Sequence, residues 1–221
     1  MPRRRYNRRP RRRRKRNALW SGANKATKAL SLAVGAARSV RYLSGLVNSE
    51  MFSHDVNGTS STITDSGTIA PLTDISQGDN EFTRTGNSIF VRSVFGRFNF
   101  AIHSSAIYST IRMIFFQDTQ QVGDTAPAVT DVLQTASYLS PLNNDTKGRF
   151  KILKDMTIRL DESANQVANR KVYLPMRHHV RYNGSSSGDI QRGGLYYLVI
   201  TNSTVNQPTY SWYVRTSYHD N

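Results

Sequence analysis

Residues 150–160, FKILKDMTIRL, place Phe150, Ile152, Met156, Ile158 and Leu160 on one set of alternate positions, opposite Lys151, Asp155, Thr157 and Arg159. Period-two patterning predicts a strand with one buried face, because a helix would repeat its apolar positions every three or four residues. The pattern returns along the chain. In 171–182, Val172, Leu174, Met176, Val180 and Tyr182 oppose Lys171, Arg177 and Arg181. In 88–102, Phe90, Val94, Phe98, Phe100 and Ile102 share a face, with Arg92 the exception, and 210–218 offers Tyr210, Trp212, Val214 and Tyr218. Segment 107–116 is apolar on both faces, which predicts a central, covered strand; 194–202 reads as another buried strand and 67–73 as an edge strand. Residues 53–66 are polar and rich in Gly, Ser and Thr, which suits a surface linker or loop. Ala128, Val129, Val132, Leu133 and Ala136 have helical spacing behind Pro127, which a first helical turn tolerates. The fold class expected is all-β: an eight-stranded antiparallel jelly-roll sandwich over 51–221, with one short inserted helix.

Charge divides the chain. Residues 1–50 hold fifteen Lys/Arg and one acid, Glu50, for a net +14; residues 51–221 hold fifteen bases and fourteen acids, for a net +1. Residues 1–17 form an Arg-rich arm whose like charges repel and bury no core, which predicts disorder when it is alone. Its cations are Arg3, Arg4, Arg5, Arg8, Arg9, Arg11, Arg12, Arg13, Arg14, Lys15 and Arg16. Guanidinium groups at this density match phosphate oxygens and bind nucleic acid without reading sequence. The same run suits a nuclear localisation signal or a polybasic membrane-surface patch. Residues 18–50 form a basic amphipathic helical segment. Ala26, Ala29, Leu30, Ala33, Val34, Ala37, Val40, Leu43 and Val47 make one stripe; Lys28, Arg38 and Arg41 lie away from it and Lys25 sits near its edge. Those four cations join the candidate nucleic-acid set. The helix either packs beneath the body, faces nucleic acid or acts on a membrane.

Several classes fall away. The chain has no cysteine, which excludes disulfides, thiolate metal sites and cysteine nucleophiles. No secretory signal is expected after the N-terminal charges, and no apolar run is long enough to span a bilayer. No serine-hydrolase elbow, Walker loop, HExxH or dinucleotide fingerprint occurs, so no enzyme is expected and no cofactor is required. His178 and His179 are adjacent and point to opposite faces of a strand; His178 reads as a core histidine. Asp74, Asp79 and Glu81, and Asp161 with Glu162, read first as solvated loops and second as donors to a calcium ion between subunits.

The strings GNSIFVRSVFGRFNFAI (86–102), IRMIFFQD (111–118), PAVTDVLQTASYLSPLN (127–143), RFKILKDMTIRL (149–160) and VYLPMRHHVRYNG (172–184) resemble the coat protein of satellite tobacco necrosis virus. In order and spacing they also resemble capsid proteins of small circular single-stranded DNA viruses. The resemblance implies a single jelly roll that assembles as about sixty copies into a T=1 icosahedral shell, with its arm directed inward. It implies Ca2+ between subunits, with Asp79 and Asp220 as the matching acids and Thr85 and Ser88 at further oxygen-donor positions. The arm is longer and richer in arginine than the satellite-virus arm and looks more like that of the circular-DNA viruses, which favours a single-stranded DNA genome over RNA. The expected function is therefore a viral coat protein that packages its genome, found in the virion and in the host nucleus or cytoplasm during assembly, with host nuclear import machinery as a further partner. A non-viral nucleic-acid-binding module with a basic tail is the alternative; such modules spread their cations over the folded surface.

Overall fold

The computed structural model describes Leu30, Val34 and residues 50–121 and 125–220. The chain divides into two units, residues 1–48 and 49–221. In the first, Leu30 and Val34 are helical and exposed. Their four-residue separation puts them on one helix face.

The second unit is a sandwich of two antiparallel sheets. Its strands are β1 (Met51–Thr62), β2 (Thr68–Pro71), β3 (Ser88–Ala101), β4 (Tyr108–Asp118), β5 (Phe150–Asp161), β6 (Val167–Tyr182), β7 (Ile190–Arg192), β8 (Gly194–Thr201) and β9 (Thr209–Asp220). Sheet A runs β1-β9-β3-β6-β7 and sheet B runs β2-β8-β4-β5. The first and last strands are neighbours, and the chain passes between sheets in the order of a jelly roll. Eight strands make that framework; the three-residue β7 adds to the edge of sheet A.

The inner faces meet through aromatic rings. Phe98 of β3 packs edge-on against Phe115 of β4 at 5.7 Å and against Tyr197 of β8 at 5.8 Å, joining the two sheets. β4 lies between β8 and β5, and its second face is covered as well. The segment between β4 and β5 lies over it: Val132 and Leu133 are buried, and the Arg112 side chain donates to the main-chain oxygens of Tyr138 (3.2 Å) and Ser140 (2.6 Å). That explains an apolar pattern on both faces of 107–116. The inserted helix, α1 (Val129–Val132), is a single turn, shorter than the spacing predicts. It stops because Leu133 becomes extended and bridges to Leu142.

Two local expectations need correction. Residues 53–66 are not a linker: through Thr62 they form β1, paired along its length with β9 from Met51–His219 to Thr62–Thr209. β1 is an edge strand with most side chains only half buried, so polar residues are tolerated there and no apolar alternation marks it. In β3, the buried face does not stay on even positions. Ile89 and Val91 are buried, then Val94, Phe98 and Phe100, because the pairing register shifts between Val91 and Ser93. Arg92 stands exposed at that shift, and Phe90 is displaced from the inner face.

Gly193, between β7 and β8, has φ +83°, and a Cβ there would lie 2.5 Å from the His179 carbonyl oxygen. Gly193→Ala is expected to cost about 2 kcal/mol, from the left-handed backbone and the displaced strand. Urea unfolding checks this through its midpoint.

Candidate nucleic-acid interface

The fifteen cations singled out from sequence, Arg3 through Arg16 with Lys25, Lys28, Arg38 and Arg41, lie outside the described residues. The folded unit shows a second basic feature that its near-zero net charge conceals.

Alternation along β6 turns Val172, Leu174, Met176, Val180 and Tyr182 inward. Lys171, Arg177 and Arg181 therefore stand exposed on the outward face of sheet A. Neighbouring strands extend the row. Arg97 of β3 sits directly opposite Lys171, and Arg192 of β7 directly opposite Arg181. With Arg92 these make six cations on this face outside any salt bridge among the described residues; a seventh, Arg215 of β9, is paired with Asp55. Like charges directly opposite cost about 0.2–1 kcal/mol per pair, so stability does not account for them. Aromatic rings lie among them: Arg97 and Lys171 approach the Phe95 ring at 5.9 and 5.5 Å, and Tyr173 and Tyr213 are exposed. The acid of this face is already used. Asp55 takes two hydrogen bonds from Arg215, at 2.7 and 2.6 Å, which hold its carboxyl below the usual carboxylate range. Other acids stand apart in loops, among them Asp79, Glu81, Asp145 and Glu162, all exposed. Basic residues interleaved with aromatics are the surface signature of a single-strand nucleic-acid binder.

The two histidines do face opposite ways. His178 is half-buried, with Nε2 3.0 Å from the Gly193 oxygen; burial pushes its pKa down. His179 is exposed against the Phe90 ring.

Asp79 is exposed in the β2–β3 connection, and Asp220 ends β9. The Asp220 Oδ2 accepts the Thr85 backbone N–H at 2.5 Å, while Oδ1 is buried without a hydrogen-bond partner among the described residues. An unsatisfied carboxylate oxygen fits a cation, but no group of three His, Cys, Asp or Glu able to hold a metal occurs among the described residues. Calcium takes about six to eight oxygens, more than this corner of one chain brings together.

Arg84 gave no signal in the sequence. It is fully buried and donates to the main-chain oxygens of Ile75 (3.0 Å), Gly86 (2.6 Å) and Gly184, while its guanidinium lies 3.9 Å over the Tyr182 ring. It ties the β2–β3 connection to the turn after β6. Two of its carbonyl partners, Ile75 and Gly86, lie near it in sequence, but Gly184 and the Tyr182 ring come from about a hundred residues away, and no local motif announces them.

The profile of the satellite tobacco necrosis virus coat protein family matches residues 37–221, which spans the sandwich from its first strand to its last. The chain belongs to that family. It is a viral coat protein, a structural component of the virion and not an enzyme. The capsid protein of satellite tobacco necrosis virus 1 is 33% identical over 144 residues, covering 63% of this chain and 71% of that protein. The coat protein of satellite tobacco necrosis virus 2 is 30% identical over 153 residues, covering 66% and 75%. A solved chain from desmodium yellow mottle tymovirus aligns over 77% of this coat protein and 85% of its own length, with 11% identity and a TM-score of 0.39. Among the described residues no helix is long and apolar enough to cross a membrane.

Proposed function

We propose that this coat protein assembles as about sixty copies into a closed T=1 shell and packages a single-stranded genome through its Arg-rich arm. The observation that carries the reading is the charge partition: +14 in residues 1–50 against +1 in the remainder, on a coat-protein fold. Sixty such arms bring roughly 840 positive charges to the shell interior, enough to neutralise much of a strand of one to two thousand nucleotides. A body near neutrality lets copies approach without strong repulsion. Three segments divide the work. Residues 1–17 bind phosphate, residues 18–50 carry Lys25, Lys28, Arg38 and Arg41 toward the strand, and 51–221 build the shell. DNA is favoured over RNA by the likeness of this long, arginine-rich arm to those of capsids of small circular single-stranded DNA viruses, and such an arm also suits nuclear import in the host. A Ca2+ ion between subunits would draw on Asp220, whose Oδ1 lacks a partner within the described chain, and on Asp79, completed by oxygens from neighbouring copies.

Particle mass tests the copy number. Chains of 24.9 kDa closing as sixty copies give about 1.5 MDa of protein. Native mass spectrometry after nuclease treatment should find that value, and a protein mass well away from it contradicts T=1 closure. Digestion of the extracted polymer by DNase or by RNase identifies the genome.

A further inference from the structure

The outward face of sheet A holds a cleft of about 460 Å³, a volume within the range of small-ligand sites. Arg97 and Asn99 of β3, Asn169, Arg170 and Lys171 of β6 and Trp212 of β9 contribute to its lining; no carboxylate is among the described lining residues. On its floor the Asn99 Nδ2 donates to the Asn169 Oδ1 at 2.8 Å. That bond leaves the Asn99 Oδ1 as an acceptor and the Asn169 amide N–H groups as donors, the two kinds of group that a base edge meets. Arg97 and Lys171 face each other across the strand pair at one end of this floor, a repulsion that an anion between them relieves. The cleft's own sign argues against the cationic arm as its occupant.

We propose that this cleft holds one nucleotide of the packaged strand, its flanking phosphates on Arg97 and Lys171 and its base edge on the Asn99–Asn169 pair. The folded body then binds the genome beside the arm and sets where the strand meets the shell. This rests on the packaging reading, since a coat protein that took up no nucleic acid would have no strand to place there.

The test titrates fluorescein-labelled oligo(dT) and oligo(U) into the full chain over a range of salt. R97Q/K171Q is expected to flatten the log–log salt dependence by about 1.4, at about 0.7 per phosphate contact on a single strand. N99A is expected to lower affinity about fivefold with the slope unchanged, because it removes a base contact and no charge. K151Q/K154Q removes two charges from β5 in the other sheet and should leave the slope near that of the parent chain. Thermal unfolding shows that each variant still folds. An unchanged slope in R97Q/K171Q overturns the proposal, as does an equal flattening in K151Q/K154Q, which would reveal only long-range charge. Failure of the parent chain to bind either oligonucleotide at low salt defeats the packaging reading itself, and this inference with it. The oligonucleotide that loses more affinity in N99A is the one the cleft reads better.

Discussion

Removing residues 1–16 is expected to abolish nucleic-acid uptake and leave the sandwich folded. The segment carries eleven of the thirty Lys and Arg residues and no acid. Contacts in that number give a steep salt dependence; for about six to ten phosphates, affinity changes by about 10³–10⁵ between 50 and 200 mM salt, and the deletion forfeits that whole contribution. Among the described residues the hydrophobic core runs from Ile63 to Tyr218, all within the sandwich. Its cooperative unfolding should therefore occur at the same temperature with and without the arm. The ratio of absorbance at 260 and 280 nm in purified particles measures uptake, and calorimetry measures the fold. Deletion particles that retain a full complement of nucleic acid would show that the arm is not the packaging element.

The largest single-residue effect on stability is expected at Asp118. Its side chain is fully buried at the end of β4 and takes two hydrogen bonds from Arg149, from Nε at 2.9 Å and Nη2 at 2.6 Å. Those bonds raise the arginine's already high pKa further. Asp118→Ala leaves the guanidinium partly buried without its counter-charge, and breaking such a pair costs about 3–5 kcal/mol. Arg149→Met leaves the carboxylate stranded and should cost a similar amount. The double variant Asp118→Ala/Arg149→Met should recover much of the loss, because no unpaired charge remains buried. A double-mutant cycle by urea unfolding reads the coupling directly. Additive single effects would mean that the two groups do not support each other.

The strands were legible where one face is buried and the other wet. Phe150 through Leu160 and Val172 through Tyr182 announce their inner faces by residue type alone, since alternate positions meet different solvents. β1 was not legible, because an edge strand satisfies its backbone through β9 without needing apolar side chains. The shifted face of β3 was invisible for another reason. Arg92 marks the place, but an exception in a pattern does not say which way the register moves. The basic arm could be read residue by residue, since its signal is local density. The basic face of sheet A could not. Arg97, Lys171, Arg181 and Arg192 become a patch only when β3, β6 and β7 pair, while loop acids keep the summed charge of the body near zero. Net charge is additive along a sequence, and a surface field depends on where the strands bring each charge.

Sedimentation velocity on the purified full-length chain, recorded at 260 and 280 nm, tests the central claim most directly. A coat protein that closes a shell around nucleic acid should give one fast boundary absorbing strongly at 260 nm, and that boundary should lose its excess 260 nm absorbance when residues 1–16 are removed. A slow boundary of single chains, unchanged by added single-stranded DNA, RNA or calcium, would contradict both self-assembly and packaging and favour a nucleic-acid-binding module with a basic tail.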